Sequence, residues 1–183
     1  GYGKAQIPAR FSIEMLKRGW YLWNEIIWKK PNQMPESVKK RFTNDFEMIY
    51  FFSKSPNYFF TQQLEESSNK SEMDYRRVLR RKNADKYKVK NPYKNNFPKS
   101  FRNDGKRNMR SVWDIPTKPY RENHSASFPE RLVERCILAG SSEKGIVLDP
   151  FMGSGTTAYV ARQLGRNYLG IELNKDYIRL SDK

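Results

Sequence analysis

Apolar residues fall at helical spacing through IPARFSIEMLKRG, positions 7 to 19, and Gly19 ends the run, so the spacing predicts a helix there. YLWNEIIWKK (21–30) reads as a strand stopped by Pro31, and NQMPESVKKRF (32–42) as an irregular connector. FEMIYFFSKS (46–55) is nearly continuous in apolar residues, the pattern of a central strand covered on both faces. Past Phe60 the periodicity stops, and the chain turns polar and basic, broken by Asn, Pro and Gly. It returns at SVWDIP (111–116). SASFPERLVERCILAG (125–140) predicts a helix, with Ser127 as its cap and Glu130 as the capping-box partner. GIVLDPF reads as a buried strand, TTAYVARQLG as a helix, NYLGIEL as a second strand and KDYIRLS as the start of another helix. Strand, helix, strand and helix in that order predict a βαβ unit on a parallel sheet, hence an α/β fold.

Charge sharpens the division. At 183 residues the chain suits one domain, with or without an insertion. Lys and Arg number 35 against 20 Asp and Glu, a net charge of +15. Between Lys70 and Arg121 there are seventeen basic and five acidic residues, an excess of twelve. So aliphatic-poor a segment cannot hold a large core; it reads as an inserted recognition element or one that orders on binding. The excess points to a polyanionic partner, nucleic acid ahead of a merely soluble basic surface. The one cysteine, Cys136, excludes an internal disulfide framework and a cysteine-based zinc site. Its spacing from Leu132 and Val133 marks it as a core thiol, and a reducing compartment is implied. No apolar run approaches membrane-spanning length.

Candidate chemistry gathers at LDPFMGSGTT (148–157). An apolar run ends in Asp149, and Gly153-Ser154-Gly155 then puts bare backbone where a ligand approaches closely. A phosphate-cradling loop for a nucleoside triphosphate needs Lys after the second glycine of a longer spacing, and Thr156 stands there instead. A nicotinamide dinucleotide tolerates Ala158 at the third glycine position, but Asp149 would repel its pyrophosphate. S-Adenosylmethionine carries no phosphate and has an ammonium and a sulfonium, so an acid beside the turn helps. Glu172, at the tip of the next strand, is placed to accept from a ribose diol. The residues favour S-adenosylmethionine over an ordinary glycine turn.

LDPFMGSGTT with GIELNKDY resembles the cofactor motifs of the DNA amino-methyltransferases, which methylate the exocyclic amine of adenine or cytosine. GWYLWNEIIWKKPNQMPESVKKRF and EMIYFFSKS are similar to that family's middle motifs. SVWDIPTKPYRENHSASFPERLVERCILAG resembles the segment leading into its cofactor half. The motif order implies the circularly permuted β arrangement of an S-adenosylmethionine-dependent, Rossmann-like sheet, incomplete at its N-terminal side. It implies a core in two parts, 1–60 and 111–183, around a target-recognition insertion at 61–110. By position, Asp149, Phe151, Gly153, Ser154, Gly155 and Thr156 would line the cofactor pocket. Glu172 would hold the ribose with Asn174 nearby, and His124, Ser127 and Phe128 would close the methionine side. Nothing argues for a general-base or metal role for His124, the single histidine. Arg76, Arg77, Arg80, Arg81, Lys82, Lys86, Lys88 and Lys90 would face double-stranded DNA.

One family element is missing. Its catalytic tetrapeptide is Asp, Ser or Asn followed by Pro-Pro-aromatic, and this chain contains no Pro-Pro. In that tetrapeptide the first residue and a proline carbonyl accept the amine hydrogens, and the aromatic stacks on the flipped base. Ser55-Pro56-Asn57-Tyr58 and Asn91-Pro92-Tyr93 are weak substitutes; each lacks the second proline. The resemblance therefore implies the C-terminal portion of a DNA methyltransferase, with an N-terminal complementing segment or chain as partner. A restriction endonuclease companion and a bacterial or phage-encoded cytoplasmic setting go with it. The alternative is a non-catalytic DNA-binding remnant.

Overall fold

The computed structural model describes residues 4–66, 106–117 and 128–181. The chain divides into two compact units, Gly1–Thr61 with Ser111–Lys183, and Gln62–Arg110.

In the first unit, α1 (Ile7–Lys17) starts with Pro8 in its first turn, where a missing N–H costs nothing, and Gly19 follows its end at φ 82°. β1 (Tyr21–Lys29) and β2 (Phe46–Ser53) pair antiparallel, with Ile26 opposite Ile49. β1 then receives β5 (Val112–Asp114) on its other side in parallel, Trp28 opposite Trp113. The indole of Trp28, 5% exposed, donates to the Ile115 carbonyl at 2.8 Å, and Ile115 is the most deeply buried large side chain described. This corner is the core of the three-stranded sheet β2-β1-β5.

The second half of the unit is a βαβ unit, as its alternating pattern predicts. α2 (Glu130–Gly140) leads into β6 (Ile146–Asp149), then α3 (Thr156–Gln163), β7 (Asn167–Gly170) and α4 (Lys175–Ser181). β6 and β7 run parallel in register, Asp149 beside Gly170. Val133 and Ile137 of α2 pack on Val160 and Ala161 of α3, with Val147 of β6 and Leu164 against them.

Several expectations change here. β2 is an edge strand, half-buried along its middle, because β1 is its only described neighbour. β6 is not buried: Ile146 is 71% and Leu148 57% exposed, and every residue of β7 is exposed. Only the Val147 face of β6 meets helices, so the apolar residues of the opposite face stay in solvent. Cys136 is exposed rather than a core thiol: α2 is apolar over a wider arc than α3 and β6 cover. α2 starts at Glu130 with Pro129 as its N-cap, and no side chain caps it. Ser127, the expected cap, lies outside the described residues.

In the second unit, β3 (Leu64–Glu66) and β4 (Lys106–Asn108) pair antiparallel. Glu65 accepts from Arg107 at 2.9 Å and from Arg110 at 2.7 Å. Partial burial pulls its pKa up, but the hydrogen bonds from Arg110 and Arg107 and their charges outweigh that and leave it below the ordinary carboxylate value. The chain departs for this unit after Thr61, whose amide donates to the Ala139 carbonyl at 2.9 Å. It returns at Ser111, whose carbonyl accepts from the Ile27 amide at 2.8 Å.

Candidate functional site

The glycine turn lies between the tips of two parallel strands. β6 delivers Asp149, and the chain then loops back to start α3 at Thr156. Gly153 (φ 57°) and Gly155 (φ 88°) both occupy the left-handed region, where a side chain strains the backbone. Gly155 is the N-cap of α3, and no side chain caps that helix. The sequence places glycine where the loop geometry requires it.

Asp149 holds this loop from inside. Its Oδ1 accepts from the Phe151 amide at 2.9 Å, and its Oδ2 accepts from the Thr157 hydroxyl at 2.6 Å. One carboxylate thus fixes the turn and pins the first turn of α3 to the end of β6. Thr157, 8% exposed, is the loop-holding residue that sequence reading passed over for its neighbour Thr156. Its signal is phase: the second helical residue faces back toward β6.

Glu172 holds the loop from the adjacent strand. Its Oε2 accepts from the Gly153 amide at 2.7 Å and its Oε1 from the Asn174 amide at 2.8 Å. The amides of Asn174, Gly153 and Leu173 all hold its pKa below the ordinary value, because hydrogen bonds to the charged form favour that form. Asn174 caps α4: its Oδ1 accepts from the Asp176 amide at 2.9 Å. Under the loop, Met152 is 8% exposed and packs against Gly170. A Cβ on Gly170 would lie 2.3 Å from Met152 Cε, so β7 approaches the loop through a position with no side chain.

The structure thus brings together Asp149, Phe151, Gly153, Ser154, Gly155, Thr156, Glu172 and Asn174 around one turn. Phe151 projects 86% exposed from it. Phe128 lies at the foot of α2 and shares a cavity wall with Asp149 and Thr157. His124 and Ser127 lie outside the described residues, as do Arg76, Arg77, Arg80, Arg81, Lys82, Lys86, Lys88 and Lys90, and Asn91-Pro92-Tyr93. Ser55 and Tyr58 sit elsewhere, past the end of β2. The Ser55 Oγ accepts from the Asn57 amide at 3.1 Å, and the Tyr58 ring packs 4.7 Å from Trp23 and 5.4 Å from Phe51. That is an aromatic cluster, and no described contact joins it to the glycine turn.

The donor set fits a phosphate-free, positively charged nucleoside. Two carboxylates flank bare backbone at the C-terminal tips of parallel strands, where ligands of open α/β sheets bind. The Glu172 oxygens accept the Gly153 and Asn174 amides and keep lone-pair capacity for a further donor, such as a ribose hydroxyl.

Comparison with known proteins agrees with this fit. The chain is 37% identical over 175 residues to the type II methyltransferase M.Cfr9I of Citrobacter freundii, covering 96% of this chain and 48% of that protein. It is 37% identical over 176 residues to the type II methyltransferase M.SmaI of Serratia marcescens, covering 96% of this chain and 50% of that one. The chain therefore spans about half the length of these curated relatives. The crystal structure of the M1.HpyAVI–SAM complex shares the fold, with a TM-score of 0.65 over 98% of this chain and 69% of that one, at 23% identity. The family model of the DNA methylases, N6_N4_Mtase, matches residues 3–183, and the chain belongs to that family.

Proposed function

We propose that this chain binds S-adenosylmethionine and forms the cofactor half of an enzyme that methylates the exocyclic amine of adenine or cytosine in double-stranded DNA. The observation that carries the reading is the glycine turn locked between Asp149 and Glu172 at the tips of β6 and β7. The bound sulfonium supplies the methyl group. Glu172, kept ionised by its amide donors, would accept from the ribose diol. Asp149 would add negative charge near the cationic methionine end while keeping the turn in shape. Phe151 offers an exposed ring as a lid over the adenosine. Family membership supports the reaction class.

The groups that would accept the amine hydrogens are absent from this sequence, which has no Pro-Pro-aromatic tetrapeptide. The reading therefore takes that tetrapeptide from an N-terminal complementing segment or chain. It assigns target recognition to residues 61–110, with Arg76, Arg77, Arg80, Arg81, Lys82, Lys86, Lys88 and Lys90 on the phosphate backbone. His124 and Ser127 would close the methionine side with Phe128. A restriction endonuclease of the same specificity and a bacterial cytoplasm complete the setting.

Calorimetric titration of the chain with S-adenosylmethionine tests the cofactor claim. A methyl-transfer assay on duplex DNA, run with and without a complementing polypeptide, tests the reaction. Heat-silent titration overturns the first, and no transfer after complementation overturns the second.

A further inference from the structure

We propose that Phe42, on the connector between β1 and β2, is a wedge that enters the base stack of duplex DNA. The duplex as its partner rests on the function proposed above; the presentation of the ring rests on geometry.

The Phe42 side chain is 97% exposed. Among the described large apolar side chains only Leu173 is as exposed, and Leu173 adjoins Glu172 at the glycine turn. A phenyl ring left in water adds nothing to folding, since the hydrophobic gain comes from area removed from solvent. The loop that carries this ring is nevertheless braced. Pro31 and Pro35 restrict the connector. The Gln33 amide donates to the Lys30 carbonyl at 3.1 Å, which closes a turn with Pro31 at the position that suits its fixed φ. The Asn32 side chain then clips Thr117 twice, accepting from its amide at 2.9 Å and donating to its carbonyl at 2.8 Å.

Glu36 grips the chain on both sides of Phe42. Its Oε2 takes the Arg41 guanidinium at 2.5 Å, and its Oε1 accepts from the Asn44 amide at 3.3 Å. Asn44 Oδ1 accepts from Lys4 at 3.1 Å, and the Asp45 carbonyl accepts from the Lys30 amide at 2.7 Å, which closes the base of the connector. The residues around Phe42 are held while its ring is left out.

The setting fits a polyanion with stacked rings inside it. Lys39 and Lys40, just before Phe42, are exposed, so cations stand where phosphates would flank an inserted ring. The connector leaves the carboxyl end of β1, a strand parallel to β5, and open α/β sheets take their ligands at such ends. Apolar side chains pushed between base steps unstack and kink a duplex. An enzyme that acts on a base inside the helix must first undo that stacking. A second copy of this chain is the poorer partner, because two chains of charge +15 repel.

The test uses two synthetic duplexes of one sequence, one intact and one with a single central abasic site. Fluorescence anisotropy measures binding of the full 183-residue chain to each. An abasic site has already lost the stacking that a wedge must break, so the chain should bind it about tenfold or more tightly than the intact duplex. Phe42→Ala should bring that ratio to about one and leave the intact-duplex affinity unchanged. An unchanged S-adenosylmethionine titration shows that the variant folds. Phe42→Leu, another apolar wedge, should restore most of the ratio. Replacing Lys39 and Lys40 together by Ala should weaken both duplexes alike, lower the salt slope by about two and keep the ratio. A ratio near one in the wild-type chain overturns the proposal. Equal loss of both affinities in Phe42→Ala makes the ring a surface contact and also overturns it. A ratio indifferent to Phe42, with duplex binding and cofactor titration intact, removes the wedge alone. A chain that binds neither duplex removes the wedge together with the DNA half of the function proposed above.

Discussion

The Gly153 amide donates to Glu172 Oε2 at 2.7 Å, which ties the loop after one strand to the acid beyond the next. The bond makes the loop's shape depend on the charge of a residue nineteen positions away. Replacing Glu172 by Gln should therefore weaken S-adenosylmethionine binding by about tenfold or more, since hydrogen bonds to ionised groups are the strong ones. Calorimetric titration checks it, and circular dichroism should stay unchanged.

The same bond sets a pH dependence. Glu172 has its pKa lowered by the Asn174, Gly153 and Leu173 amides, so its contribution is fully present above the ordinary value of 4.5. It is lost as pH falls through the lower folded-state value. Cofactor affinity of the wild-type chain should thus hold steady from neutral pH down to about 5 and fall only below it. An affinity that halves between about pH 7 and about pH 6 would contradict the assignment.

Asp149 and Thr157 form a second coupled pair. Thr157→Val leaves one carboxylate oxygen of Asp149 without its 2.6 Å donor and should lower stability by about 1–2 kcal/mol. Thermal unfolding measures it. Asp149→Asn should cost more, and combining the two should be less than additive, because both remove one bond.

Gly170→Ala places a methyl group against Met152 and should destabilise the chain by about 1–3 kcal/mol. Met152→Ala alone opens a cavity and costs about 2–5 kcal/mol. In the Met152→Ala background the methyl group added at position 170 has room, so Gly170→Ala should be nearly neutral there. Equal cost in both backgrounds would show that the contact is not the cause.

Cys136 is accessible, yet the apolar walls of the cavity it lines desolvate its thiolate and push its pKa up to about 11, with the Arg135 charge opposing. Alkylation should therefore be slow at neutral pH and keep rising about tenfold per pH unit through about pH 9, where an ordinary thiol levels off.

The sequence showed the βαβ half plainly because its signals are local. Asp149, the two left-handed glycines and Glu172 each sit at an element end that periodicity and turn residues mark. What it concealed depends on neighbours. FEMIYFFSKS and GIVLDPF have the composition of doubly covered strands, and the described chain covers each only in part. Apolar pattern reports the environment a strand is built for, and here Ile146 and Leu148 meet solvent instead. Cys136 misled for the same reason: helical spacing finds the apolar arc of α2 but not how much of it is covered. Thr157 was missed because its role depends on helix phase at the Asp149 carboxylate, which a string of letters does not display.

The amide of Thr61 and the carbonyl of Ser111 are each fastened to the first unit, one to Ala139 and the other to Ile27. What lies between them leaves and rejoins the scaffold at two moored points. Such a socket lets evolution, or an engineer, graft a different segment between those moorings while the glycine turn and its two carboxylates stay as they are.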